Sequence, residues 1–105
     1  MDAQLKKGFV EVAVLAILNQ HDSYGYSIMQ ELGEVMEISE STLYPILKRL
    51  ESQGCLKTYS VEHNSRLRKY YRITPEGTDR IREFLESWNM VEGLNAFIRR
   101  GYRHG

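Results

Sequence analysis

Ser41, Thr42, Tyr44 and Lys48 place two short hydroxyls, a phenol and an ammonium within eight residues. Arg66, Arg68, Lys69 and Arg72 follow as a second, strongly basic block. Short hydroxyls can approach hydrogen-bonding edges closely. A tyrosine at that spacing can reach a phosphate or lie against a sugar, and a lysine further along suits backbone charge neutralisation. Arginines at a hairpin tip can grip a minor groove or its phosphates. The chemistry suits duplex DNA, whose major groove admits a helix of about 12 Å diameter. The alternative is that Ser41 and Thr42 only help to cap a helix, while Lys48 and Arg49 pair on the surface with Glu51 or Glu40.

The elements that must carry these groups follow from periodicity. Leu43, Ile46, Leu47 and Leu50 recur at spacings of three, one and three, the inward stripe of a helix. Ser39 stands at its cap, and Gly54 supplies the left-handed stop. Pro45 predicts a distortion near the front of that helix. Leu5 to Gln20 reads as an earlier helix, apolar on almost every side and therefore central to the core. A second helix is expected from about Tyr24 to Gly33, capped by Asp22 or Ser23.

Cys55 to Glu62 and Leu67 to Ile73 are rich in Tyr, Thr, Val and Ile and flank a turn-like tip, His63-Asn64-Ser65-Arg66. They predict a β-hairpin. Period two sets Leu67, Tyr71 and Ile73 on one face and Arg68, Tyr70 and Arg72 on the other. Thr74 then Pro75 mark a fourth helix start. That helix is expected to run to about Ile98 along Ile81, Phe84, Leu85, Trp88, Val91, Leu94 and Ile98, leaving Arg99 to Gly105 as a frayed tail. The expected fold is mainly α with a small β-hairpin, a winged helix-turn-helix plus a C-terminal helix. Residues 1–73 would form the winged-helix part and 74–105 a C-terminal helix with a short tail, the two making one compact unit.

The 105 residues carry no net charge, which by itself argues against a generic nucleic-acid binder. The distribution restores the case. No Lys or Arg occurs from Gly8 to Leu47, where Asp22, Glu31, Glu34, Glu37 and Glu40 all fall. From Lys48 to Arg72 seven cations meet only Glu51 and Glu62. Cys55 is the single cysteine, expected as a small buried hydrophobe, which excludes an internal disulfide and fits a reducing cytoplasm. No apolar run is long enough to span a membrane, and no leader is expected. No phosphate-cradling glycine loop, nucleophile elbow or metal-spaced histidine pair occurs, so no enzyme, metal or cofactor is expected.

The run Ser41-Thr42-Leu43-Tyr44-Pro45-Ile46-Leu47-Lys48-Arg49-Leu50-Glu51, then Gly54, then Arg68-Lys69-Tyr70-Tyr71-Arg72-Ile73-Thr74-Pro75-Glu76-Gly77, resembles the PadR family of bacterial transcriptional regulators. Tyr24-Gly25-Tyr26 resembles that family's second-helix entry, and the likeness covers about residues 5 to 98. It implies a winged-helix DNA-binding domain, a dimerising last helix and repression of nearby genes. It adds Tyr26 to Ser41, Thr42, Tyr44 and Lys48 as an expected DNA contact. A single helix after the wing resembles the short subfamily.

Glu86-Ser87-Trp88 is similar to the multidrug-responsive members, in which a tryptophan from each subunit sandwiches planar aromatic compounds at the dimer centre. On that resemblance Trp88 would face its symmetry mate. Gly8 and Val12 would leave space on the first helix, Leu85 would add apolar surface, and Glu11 and Glu92 would border the opening to a planar cationic ligand. The expected partners are double-stranded DNA, a second copy of the chain and such a small molecule. The competing expectation is a winged-helix module that binds protein without DNA.

Overall fold

A computed structural model describes residues 2–105. Four helices and three strands follow one another as α1 (Ala3–Gln20), β1 (Ser23–Tyr24), α2 (Gly25–Gly33), α3 (Glu40–Ser52), β2 (Leu56–His63), β3 (Arg66–Ile73) and α4 (Pro75–His104). The strands form one antiparallel sheet in the order β1-β3-β2. The mainly helical winged-helix expectation is met.

The core gathers one face of each of the first three helices and the base of the hairpin. Val10, Val14, Leu15 and Leu18 of α1 meet Ile28 and Leu32 of α2 and the α3 stripe Leu43, Ile46, Leu47 and Leu50. Cys55, Leu56 and Tyr71 close it from the hairpin. Cys55 is buried, as expected of a small hydrophobe.

Pro45 does not break α3, which runs unbroken from Glu40 to Ser52. Proline removes the donor that would serve the Ser41 carbonyl. Ser41 is exposed, so water can satisfy that carbonyl and the helix continues. Gly54, with φ +78°, supplies the left-handed turn after the helix. The chain then enters β2.

Three sequence expectations are corrected. Neither Asp22 nor Ser23 caps α2: Tyr24 occupies the cap without a side-chain bond, and Ser23–Tyr24 pairs with β3 instead. Two residues carry no measurable period, so this strand exists only because Tyr70 and Tyr71 lie beside it. The hairpin tip is shorter than expected, since both strands extend and only Asn64 and Ser65 turn, with φ of 50° and 64°. Finally, α4 does not end at Ile98 but continues to His104, so the expected frayed tail is helical. Arg99, Arg100 and Arg103 are strong helix formers, and Arg103 and His104 favour the negative end of the helix dipole.

Thr74 caps α4 as expected. Its Oγ1 accepts from the Gly77 N–H at 3.2 Å and donates to the Gly54 carbonyl at 2.6 Å, joining the helix start to the turn that precedes the hairpin. At 30 residues α4 is about 45 Å long. It gives the molecule its 64 Å long axis. Among the described residues, no helix is long and apolar enough to cross a membrane.

Candidate nucleic-acid interface

On α3, Ser41, Tyr44, Pro45 and Lys48 form one exposed stripe, opposite the buried leucines. Thr42 lies at its edge toward α1, where it shares a groove with Lys6, Lys7 and Ser41. The front-end hydroxyls are linked: Ser39 Oγ lies 2.9 Å from Ser41 Oγ and 3.1 Å from Thr42 Oγ1. Ser39 therefore makes no cap bond to the backbone, and its hydroxyl orders its neighbours instead. Glu40 in the first turn suits the positive end of the helix.

Tyr44 leans the other way, toward α2 and the hairpin. A Cβ on Gly25 would stand 2.5 Å from the Tyr44 Oη, so only glycine lets this ring lie over the first turn of α2. Around it, Tyr26, Arg68 and Lys69 line a cleft of about 260 Å³ with Tyr24 and Tyr71. Burial pushes the Tyr71 phenol up from its ordinary value, so it stays protonated beneath the cleft. Tyr26 is 61% exposed, and its hydroxyl accepts from Gln30 Nε2 at 3.1 Å. Of the groups expected from sequence, Tyr26 of α2, Tyr44 of α3 and Arg68 and Lys69 of the wing are thus brought to one cleft. The exceptions are Ser41, Thr42 and Lys48, further round or along α3, and Arg66 at the tip.

The wing cations divide into two sets. Arg66 is exposed at the tip and makes no ion pair among the described residues. Arg68 sets its guanidinium over the Tyr24 ring, 4.1 Å from the centroid. Lys69 reaches Glu51 at 3.8 Å and lies 5.5 Å from the Tyr71 ring centroid. Leu67 shares a strand face with Tyr71 and Ile73 but extends past the body and is 77% exposed. On α3, Lys48 is unpaired among the described residues, whereas Arg49 pairs with Glu11 of α1, not with Glu51 or Glu40.

The residues expected at an effector opening are placed less uniformly. Trp88 is half-buried against its own chain, with Phe9 edge-on at 5.1 Å and Phe84 stacked at 6.2 Å. Phe9 also meets Phe84 edge-on at 5.2 Å. Gly8 has open space where a side chain would stand, Val12 is half-buried, and Leu85 and Glu92 are exposed. Glu11 is corrected. It is held by Arg49 and reaches Arg80 at 4.0 Å, because α1 packs along α3 and its half-buried carboxylate takes the nearest guanidinium.

Of the expected pairing residues, Ile81 packs on the core and Phe84 and Trp88 on Phe9. Leu85, Val91, Leu94 and Ile98 are exposed. Met90, Phe97 and Tyr102 are exposed apolar groups on the same helix that the sequence reading passed over. Their spacing four and three apart from Leu94 and Ile98 was the available signal.

Asp22, read as a cap, instead turns its carboxylate to the hairpin. The Tyr59 hydroxyl donates to it at 2.6 Å, and this bond, with the Arg72 guanidinium, holds the carboxyl below its ordinary value. The neighbouring His21 is raised, chiefly by the Asp22 carbonyl beside its ring and also by Glu31 at 3.5 Å.

Residues 14–83 match the profile of the transcriptional regulator PadR-like family. An uncharacterized protein of Lysinibacillus sphaericus is 32% identical over 100 residues, covering 90% of this chain and 92% of its own. A solved structure from Streptococcus mutans is similar with 42% identity and a TM-score of 0.80, covering 90% of each chain. A PadR family transcription regulator from Clostridium difficile aligns with 32% identity and a TM-score of 0.78, over 86% of this chain and 98% of that one.

Proposed function

The chain belongs to the PadR-like family of transcriptional regulators, and from that membership we propose that it is a DNA-binding repressor that reads a pseudo-palindromic operator as a homodimer. It is a regulator and not an enzyme. Regulators of this family bind DNA and typically dimerise. One observation carries the DNA reading for this chain: the start of α2, the front of α3 and the wing converge on one cleft lined by Tyr26, Tyr44, Arg68 and Lys69. Tyr26, Ser41, Thr42, Tyr44 and Lys48 meet the major groove and its phosphates. Arg66, Arg68 and Lys69 meet the flanking backbone or minor groove.

On this reading residues 1–73 are the DNA-binding body and residues 74–105 the pairing arm. The distal stripe of α4 is the support for pairing, since Val91, Leu94, Ile98 and Tyr102 are 44 to 83% exposed. So much contiguous apolar surface on one helix marks an interaction site. Pairing through a twofold axis sets two copies of α3 about 34 Å apart, one turn of DNA. The long helix that follows the wing supports a short-subfamily reading. In that setting Trp88, with Gly8, Val12, Leu85 and Glu92 about it, forms the wall of a site for a planar aromatic cation. Binding there releases DNA if the ligand favours the spacing that the operator does not.

The test is titration of duplex DNA at several salt concentrations. Arg66→Ala or Lys48→Ala should weaken all sequences similarly and lower the salt slope by about one. Thr42→Ala should alter sequence preference with little change in slope. A chain that binds no duplex at low salt is a protein-binding winged helix instead.

A further inference from the structure

The body holds the wing through two carboxylates, Glu51 and Asp22. Glu51 of α3 accepts from Thr58 Oγ1 at 3.0 Å and reaches Lys69 at 3.8 Å. Asp22 sits in the turn between α1 and β1, and its Oδ2 takes donors from both hairpin strands. The Tyr59 hydroxyl of β2 donates at 2.6 Å, Arg72 Nε of β3 at 3.0 Å, and Arg72 Nη2 lies at 3.0 Å. A row of rings continues this contact. Tyr24, Tyr70 and Tyr59 are in register across the three strands. Tyr59 stacks on Tyr70 at 5.6 Å, and Tyr24 meets Tyr70 edge-on at 5.4 Å. Two guanidiniums flank the row, Arg68 over Tyr24 and Arg72 over Tyr59 at 5.1 Å.

We propose that Asp22 is a positioning residue for DNA recognition, which fixes the angle of the wing against α3 and so sets specificity without touching DNA. The proposal rests on the DNA-binding reading above and goes beyond it. The physical case is leverage. From the Tyr59 row to the turn at Asn64 is five residues, about 16 Å of strand. A tilt of roughly 10° at that row moves the tip by about 3 Å, more than a hydrogen bond tolerates. Outside this network the wing is tied to the body by Glu51 of α3, by a two-residue β1 and by the buried ends of β2 and β3. Three charge-assisted contacts on one oxygen, spread over both strands, resist that tilt. A wing held in place loses less freedom on binding than a mobile one.

The sign of the effect separates this role from simple electrostatics. Removing Asp22 deletes a negative charge and releases the Arg72 cation, which by Coulomb attraction alone tightens binding to any duplex. Loss of the brace weakens binding only where the wing must sit in register. The experiment uses the full chain and two probes: a duplex recovered by the unmodified protein from a random pool, and a scrambled duplex of equal length. In Asp22→Ala, affinity for the recovered duplex should fall about tenfold while the scrambled one is bound equally or more tightly. Tyr59→Phe, which removes one hydroxyl only, should lower it two- to threefold alone and not at all in the Asp22→Ala background. Backbone amides at the outer wing, residues 60–69, should exchange about tenfold faster in Asp22→Ala, with α3 unchanged.

Tightening on both probes, equal loss on both, or additive effects of the two substitutions would overturn the proposal. So would unchanged wing exchange. If the unmodified chain recovers no duplex, the DNA reading fails by itself, and amide exchange still decides whether Asp22 holds the wing.

Discussion

Ile81, Phe84 and Trp88 lie on the half of α4 that the chain covers itself, while Val91, Leu94, Ile98 and Tyr102 continue the stripe at helical spacing with nothing over them. The distal half carries the more apolar residues and has the less cover. The winged-helix body is complete as a single chain: its core closes, its helix start at Thr74 is capped, and Arg49, Lys69 and Arg72 all find carboxylates. The distal arm leaves its apolar stripe uncovered in the single chain. Local sequence therefore specifies the body, and on the proposed reading the arm's side chains answer to the surface of a second copy.

The contrast breaks most readily at its uncovered end. Val91→Asp together with Ile98→Asp should abolish pairing and leave the body folded, because an unpaired charge in an apolar contact costs about 3 kcal/mol or more. Sedimentation should give a monomer with helical circular dichroism retained, and a stable dimer at micromolar concentration would show that another surface pairs. The covered half should respond through folding instead. Phe9→Ala removes the ring that meets both Phe84 and Trp88 and should lower stability by about 2 kcal/mol, less than for a fully buried phenylalanine. Denaturant midpoints check this, and no change would mean that the aromatic cluster contributes little.

Trp88 stands at the border between the two halves, which makes it the residue to sharpen the comparison. A planar cationic dye should bind the dimer saturably and quench Trp88, the only tryptophan. In Trp88→Ala the dye's own anisotropy should report about tenfold weaker binding, in line with one lost aromatic contact. Equal binding would leave Trp88 as a packing residue alone.

The smallest effect belongs to the body's own charges. Asp22 faces Tyr59 and Arg72, with His21 beside it, and its native pKa lies below its unfolded value. Its stabilisation is thus full above about pH 4 and lost as pH falls through the depressed native value. With His21→Gln in both proteins, so that no neighbouring imidazole titrates, the stability difference between the parent and Asp22→Asn should be flat from pH 7 to about pH 5 and shrink at lower pH. A difference that grows on acidification would contradict the brace geometry.

What the sequence made legible was local. The stripe Leu43, Ile46, Leu47 and Leu50, the left-handed Gly54 and the Thr74–Pro75 start all stand within a few positions of what they specify. The wing's two strands were legible by composition, and their period grouped Leu67, Tyr71 and Ile73 on one face, of which only the end nearer the body is covered. Long-range partners were not legible. Asp22 meets Tyr59 and Arg72 across 37 and 50 positions, and Glu11 finds Arg49 only because α1 crosses α3. Ser23–Tyr24 is a strand solely because β3 lies beside it. The stripe on α4 was visible as one seam, but which part the chain's own α1 covers depends on Phe9, a tertiary contact. For the same reason the sequence offers DNA contacts by residue type only, while the bias of Tyr44 toward α2 needs the bare backbone of Gly25.

Pairing by the arm and recognition by the body meet in a single experiment, selection of duplexes from a random pool by the full chain followed by sequencing. The account predicts recovered sequences with two inverted half-sites whose centres lie about 10 base pairs apart, one for each copy of α3. It also predicts collapse of that spacing to single, weakly enriched half-sites for Val91→Asp with Ile98→Asp. Recovery of no enriched sequence, or of a lone half-site by the unmodified chain, would contradict it.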